Sequence, residues 1–266
     1  MGRCDERHRR RIIFKTMFFD VINSGSKGNA TLVFTHEATF LIDVGTTLKV
    51  IEEELSKYNK TINDIDAVFV THNHIDHIRS LKSFSPKKIY ALEKTVPGSL
   101  SNVIKINEPF KIKDAVITAF PTSHDAINPC GYMIESDNEK LVYMTDTGTY
   151  LSSNTPIIKN PDYLIIESNH DIRMQLLTNR PMELIQRIFS DYGHLCNEDS
   201  AFATLEIIGE NTKEIILAHL SEEANSPEAA LAAYKKIFEY AQVDINKYHV
   251  RCAHQRIPTI GGNYDR

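Results

Sequence analysis

The sequence predicts a layered α/β domain, and three observations carry that reading. Short apolar runs bounded by Gly, Pro, Asn, Asp or Ser recur along the chain, as at residues 66–70 and 140–145, and have the length of buried strands. Segments with helical periodicity lie between several of them. Polar residues of catalytic type then follow the apolar runs repeatedly, at His72, His124, Asp146, Glu167 and His219. In layered α/β folds, sites collect at one edge of the sheets, on the loops after strands.

The chain has 266 residues, of which 42% are apolar. One core suffices for that length, since single domains of ~250 residues are common. We take residues 17–266 as one domain. Residues 1–16 are basic and read as a leader outside it; the alternative is an arm whose Arg7, Arg9, Arg10 and Arg11 touch DNA phosphates. A net charge of -5 and a pI near 6.1 exclude bulk attraction to nucleic acid, although metal ions and a local Arg/Lys patch can still hold a phosphate substrate. Cys4, Cys130, Cys196 and Cys252 are widely spaced and form no CxxC pair, so neither a disulfide framework nor a cysteine zinc site is indicated. That usage fits a reducing cytoplasm. No apolar stretch has the length of a membrane span or of a secretory signal core.

From Met17 the pattern predicts strands at 18–22, 30–34 and 39–43. The first two flank a loop, Asn23-Ser24-Gly25-Ser26-Lys27-Gly28-Asn29, whose small polar residues let backbone approach an anion closely. A helix at 47–58 buries Leu48, Ile51 and Leu55 and leads to the strand at 66–70. A helix at 78–84 is expected to stop at Pro86, with a short strand at 88–91, and residues 92–114 read as irregular. Strands follow at 115–120, 131–135, 140–145, 163–166 and 214–218. Helices are expected from Pro181 to about Tyr192, after an Asn197 cap, and from Ser226 to about Tyr240.

The chemistry concentrates in Thr71-His72-Asn73-His74-Ile75-Asp76-His77. His72 and His74 are two apart in a loop and can point to one side, while Asp76 and His77 open a helix and point to another. Two adjacent metal positions result, with nitrogen and oxygen donors that suit zinc, manganese or iron. A solvated histidine-rich loop is the alternative for such a stretch. Asp43, at the end of Leu-Ile-Asp-Val-Gly, is placed to orient a metal-bound imidazole from behind, or to cap the next turn.

These residues resemble the metallo-β-lactamase superfamily, whose HxHxDH signature stands here as His72, His74, Asp76 and His77. Within it the chain is similar to the WalJ group (also called YycJ or VicX), bacterial metallohydrolases regarded as DNA exonucleases. The resemblance runs from Met17 to about Ala233. It includes the 24–29 loop, Ser123-His124-Asp125-Ala126, Thr145-Asp146-Thr147-Gly148, Ala218-His219-Leu220-Ser221 and two more specific blocks, Glu167-Ser168-Asn169-His170-Asp171 and Gly193-His194-Leu195-Cys196-Asn197.

The resemblance implies a four-layer αββα sandwich: two mixed sheets face each other, helices lie outside, and two divalent metal ions (Zn, Mn or Fe) sit at one edge. By position, His72, His74 and His124 would hold one ion, Asp76, His77 and His219 the other, and Asp146 would bridge them. The implied reaction is in-line attack of an activated water on phosphorus, with Asp76 essential and His194, oriented by Glu167, protonating the leaving 3′-oxygen. His170 would bind phosphate or fix its loop. Ser24, Ser26, Lys27, Asn29, Asn169, His170 and Asn197 are the candidate substrate contacts. Lys27, Lys82, Lys87, Arg173, Arg180 and Arg187 are candidates for the DNA backbone. Cys196 stands where the group commonly has Ser. The implied function is 5′ to 3′ exonucleolysis of DNA. The rivals are an RNA-processing nuclease, a small-molecule phosphodiesterase, thioesterase or lactonase on the same metals, and a silent nucleic-acid-binding protein.

Overall fold

The computed structural model describes residues 16–263, so the basic leader, Thr16 excepted, lies outside the described residues. The first half of the chain forms β1 (Phe18–Asn23), β2 (Ala30–Phe34), β3 (Thr39–Ile42), α1 (Leu48–Lys57), β4 (Ala67–Phe69), α2 (Ile75–Ile78), β5 (Ile89–Leu92), β6 (Asn102–Ile104) and β7 (Phe110–Ile112). The second half forms β8 (Ala115–Pro121), β9 (Cys130–Ser136), β10 (Glu139–Met144), α3 (Thr155–Ile158), β11 (Tyr163–Glu167), α4 (Ile172–Leu176), α5 (Met182–Phe189), α6 (Asn197–Ile207), β12 (Glu214–Ala218), α7 (Pro227–Tyr240), β13 (His249–Cys252) and β14 (Thr259–Gly262).

Two seven-stranded sheets result, in the orders β14-β1-β2-β3-β4-β5-β6 and β13-β12-β11-β10-β9-β8-β7. Each joins an antiparallel meander to a parallel run: β3 to β6 are parallel in one sheet and β10 to β13 in the other. The central strands are buried on both faces and therefore read as continuous apolar runs. In β11, Tyr163 and Ile165 enter the core between the sheets while Leu164 and Ile166 face the layer of α6 and α7. On the far side, Ile51 and Leu55 of α1 cover Phe18, Phe34 and Val68. Burial of such side chains supplies ~1.5–3 kcal/mol each and holds the four layers together. Among the described residues, no helix is long and apolar enough to cross a membrane.

Strand direction places the site. β1 and β3 both run antiparallel to β2, and β4 is parallel to β3; β8 and β10 both run antiparallel to β9, and β11 and β12 are parallel to β10. All seven strands therefore end at one edge. The loops after them carry the 24–29 segment, Asp43, the 71–77 segment, His124, Asp146, His170 and His219.

The structure corrects three local expectations. The helix expected at 78–84 is instead α2 followed by a 3-10 turn at Leu81–Ser83. The carbonyls of Asp76 and His77 accept the Asn29 and Val44 N–H groups, both at 2.8 Å, and are thereby withheld from a longer helix. Residues 92–114 are not wholly irregular: β6 and β7 are three-residue strands, the outermost of their sheets, too short and too exposed to show a period. Asn197 is the first residue of α6, not its cap; the Cys196 sulfur accepts the Asp199 N–H at 3.4 Å. β13 and β14, which complete the sheets, add to what the sequence pattern located.

The loops meet without spare room at Gly45. Its N–H donates to the Asn29 carbonyl at 2.8 Å, and a Cβ there would lie 1.5 Å from the Asp76 carbonyl oxygen. Gly45→Ala must push the metal-motif loop away from the 24–29 loop. We expect a loss of about 3 kcal/mol, the upper end of ordinary overpacking, in urea unfolding of the chelator-treated protein. A wild-type midpoint would contradict this packing.

Candidate metal centre

His72 and His74 leave the end of β4, and His124 leaves β8; their ring centroids lie 4.6 to 5.0 Å apart. One nitrogen from each falls within 4.8 Å of the others. A second set, Asp76, His77 and His219, meets the same criterion, as does His72, His77 and Asp146. Asp146 lies between the two sets, with Oδ2 3.2 Å from His77 Nε2, and Oδ1 3.7 Å from both His124 Nε2 and His219 Nε2.

The backs of these rings are fixed by the fold. Asp43 Oδ2 lies 2.7 Å from His77 Nδ1, and Asp43 in turn accepts the Thr71 N–H at 2.9 Å and its hydroxyl at 2.8 Å. His124 Nδ1 donates to the Gly193 carbonyl at 3.0 Å. Glu167 serves two rings with one oxygen: Oε1 lies 2.8 Å from His194 Nδ1 and 2.9 Å from His219 Nδ1, while Oε2 accepts the Thr147 N–H at 2.9 Å. Engaging each Nδ1 leaves Nε2 as the nitrogen available to the cleft.

Local backbone strain marks the same places. Asp43, Asp146 and His219 have φ of 59°, 54° and 57°, in the left-handed region that L residues seldom occupy. Aspartate tolerates it better than histidine, and such conformations persist where surrounding packing over-determines them. The Ser24 hydroxyl accepts the His219 N–H at 2.7 Å, and the Asn169 amide donates to its carbonyl at 2.9 Å, so His219 is clamped on both sides of its Cα.

The donor set fits divalent metal ions. His72 Nε2, His219 Nε2 and Asp146 Oδ2 are buried and make no hydrogen bond, although buried polar atoms normally find partners. All three sit in the clusters just described. Charge is already arranged for cations. Burial pushes the Asp146 carboxyl up, but the His219 and His77 charges outweigh it and hold the group well below the carboxylate range. Burial likewise raises Glu167, and His194 and His219 bring it down to about 2. Burial lowers His77, yet Asp43 and Asp146 hold it well above its ordinary value; His219 is raised to about 9 by Asp146 and Glu167 against the same burial. His72 and His124, which burial lowers, are neutral donors.

Several candidate substrate contacts have other tasks. Ser24, Asn29, Asn169 and Asn197 are buried. Ser24 and Asn169 clamp His219, Asn29 closes the 24–29 loop on Gly25 and approaches His77 Nε2 at 2.9 Å, and Asn197 bonds Ser168 and Asn225 beneath the site. Ser26 is exposed at the loop tip. Among the basic candidates, Lys27 pairs with Glu222, Arg180 with Glu223 and Arg187 with Asp125, whereas Lys82, Lys87 and Arg173 are exposed. The sequence reading missed Thr71 and Thr147, whose signal is a threonine beside a ligand at a strand end. His170 is 1% exposed and neither ring nitrogen has a partner.

Comparison with known proteins gives the family and the fold. The pattern described as "Beta-lactamase superfamily domain" matches residues 38–219. The chain is 35% identical over 236 residues to "Exodeoxyribonuclease YycJ" of Bacillus anthracis, covering 84% of this chain and 89% of that protein. It is 34% identical over 242 residues to "Exodeoxyribonuclease WalJ" of Streptococcus pneumoniae, covering 85% and 89%. The crystal structure of the metallo-β-lactamase fold protein YhfI from Bacillus subtilis superposes with a TM-score of 0.69 at 18% identity, covering 92% of this chain and all of that one, a likeness of fold.

Ligation through His219 Nε2 requires a neutral ring, whereas the metal-free ring titrates near 9. A raised imidazole stabilises the metal-free fold below its unfolded pKa of ~6.5, and that contribution is lost as pH rises through the folded value. Both His219 and His77 are raised, so metal uptake is expected to release protons at pH 7, with affinity rising as pH rises. Calorimetry of chelator-stripped protein in buffers of different ionisation enthalpy reads this directly. No proton release at pH 7 would contradict the assignment.

Proposed function

The chain belongs to the metallo-β-lactamase superfamily, and from that premise we propose that it is a two-metal hydrolase of DNA phosphodiester bonds that removes nucleotides from the 5′ end. The observation that carries the reading is the Glu167–His194 pair beside the ligand cluster. His194 is partly exposed, as is His74, where His72, His77, His124 and His219 are buried, and its ring lies 5.1 Å from that of His124 and 5.3 Å from that of His219. Its Nδ1 is held by Glu167 at 2.8 Å. Nε2 is thus the atom that can hand a proton to a leaving group at the centre.

In this reading His72, His74 and His124 would hold one divalent ion, Asp76, His77 and His219 would hold the other, and Asp146 lies between the two sets. When bound, the ions supply Lewis acidity, offsetting charge on the phosphoryl oxygens and making water nucleophilic at neutral pH. The chain's own part is positioning and proton transfer. Asp43 and Glu167 fix the rings, the left-handed turns at Asp146 and His219 aim their side chains into the cleft, and His194 protonates the 3′-oxygen as its bond to phosphorus breaks. The phosphate stays on the 5′ end of the remaining strand. An alkoxide needs that proton; a thiolate leaving a thioester does not, so the pair speaks against a thioesterase. The 34–35% identity to two exodeoxyribonucleases over most of both chains supports DNA as the polymer.

The test is a panel of duplex DNA, single-stranded DNA and RNA, each end-labelled, with added manganese. The wild type is expected to shorten DNA stepwise from the 5′ end. Asp76→Ala should lose nearly all turnover, and His194→Gln, folded and metal-loaded, should slow it by ~10²–10⁴-fold, the usual worth of a general acid. Unchanged activity in Asp76→Ala would sink the site assignment. No cleavage of any polymer by protein containing two metals would point to a small ester instead.

A further inference from the structure

Beside the proposed metal centre lies a second cavity that the phosphodiester chemistry leaves unused. It measures about 260 Å³ and is walled by His170, Ile172, Phe189, Cys196, Asp199 and, on the side facing the centre, His194. Clefts for drug-sized ligands span ~300–1,000 Å³, so this one suits a fragment the size of a single ring system. Its wall has no lysine or arginine, and its one ionisable acid is the exposed Asp199. An anion such as phosphate is disfavoured there.

The lining suits a flat, uncharged, hydrogen-bonding guest. The buried His170 ring backs the Phe189 ring at 5.2 Å and 50°, and Ile172 and Phe189, 43% and 40% exposed although large and apolar, offer the open surface. Both His170 ring nitrogens are buried without a partner in the chain. Burial holds that ring down to about 4, so it is neutral at pH 7, with one nitrogen to donate and one to accept. Leaving such groups unpaired costs ~1–3 kcal/mol, a cost a guest with polar edges removes. Asp199 adds an acceptor for an amino group.

We propose that this cavity receives the base of the terminal nucleotide whose 3′-oxygen is protonated by His194, with the base against Phe189 and its polar edge towards His170 and Asp199. The inference rests on the nuclease reading, because His194 is the wall shared by cavity and centre. It makes the preferred substrate a DNA end whose last base is unpaired. A paired base has first to leave its stack, which costs a few kcal/mol. Stacking on Phe189 tolerates every base, so the site would chiefly read the presence of a base, with Asp199 favouring those that carry an amino group.

The experiment compares single-stranded DNA ending in a normal 5′ nucleotide with the same strand ending in an abasic 5′ residue. Cleavage is measured with the manganese-loaded wild type, and binding with Asp76→Ala, whose cavity lining is unaltered, in the presence of manganese, by anisotropy of a 3′-fluorophore. The normal end is expected to be favoured roughly 5–150-fold in kcat/KM and in binding, the span of base–aromatic stacking. Phe189→Ala, at the exposed rim, should bring both ratios close to one; His170→Leu should reduce them. Equal handling of the two ends, or a preference unchanged by Phe189→Ala, overturns the cavity's role while leaving the nuclease intact. If the wild type cuts no DNA, the nuclease reading fails, and the binding ratio still decides whether the cavity takes a base.

Discussion

The rest of the structure answers to three carboxylates, Asp43, Asp146 and Glu167, that are buried almost completely at the ends of β3, β10 and β11. An ionised carboxylate out of water is costly unless cations and donors surround it. Imidazoles surround all three, and Asp43 and Glu167 also accept backbone N–H groups. Asp43 faces His77 and the Thr71 N–H and hydroxyl; Glu167 faces His194, His219 and the Thr147 N–H; Asp146 faces His77, His124 and His219. The acids and imidazoles are therefore solutions to one another's burial, and the atoms they leave unpaired are the ones that converge on the cleft. Ligand geometry and electrostatic balance are one arrangement.

Such an arrangement needs backbone in unfavourable places, and the two-sheet architecture provides the restraint. Like-directed strands bring seven loops to one edge. The inter-sheet core, from Phe19, Phe40 and Phe69 on one side to Tyr132, Tyr143 and Tyr163 on the other, keeps those edges at a fixed spacing. Left-handed turns at Asp43, Asp146 and His219 turn side chains inward immediately after strands, and bonds from neighbouring loops hold them there. Gly45 records how closely those loops approach. The parallel strands carry their residues at carboxyl ends, as open α/β sheets generally do, here from two facing sheets at once.

Much of this was legible in the sequence. The HxHxDH stretch, the recurrence of polar residues after apolar strands, and the Ser226 helix start are local patterns, and local patterns survive into the structure. What was not legible depends on long-range contacts. The short helix after His74 ends because Asn29 and Val44, far away in sequence, take its carbonyls. Asn197 has the composition of a cap but is drawn under the site by Ser168 and Asn225, and the Cys196 sulfur takes the capping place. Small polar residues such as Ser24 and Asn169 look like substrate contacts in a list of motifs. Only their burial shows that they position His219. β6 and β7 are too short for a period, and β14 is defined by pairing with β1, at the other end of the chain.

In the proposed centre one buried aspartate, Asp146, joins two sets of ligands into a single two-ion site. Metal analysis of the purified protein, wild type beside Asp146→Asn, decides this. Two equivalents of divalent metal per chain in the wild type, and one or fewer in the variant with the same secondary structure, is the predicted result. Two equivalents retained by Asp146→Asn would contradict it.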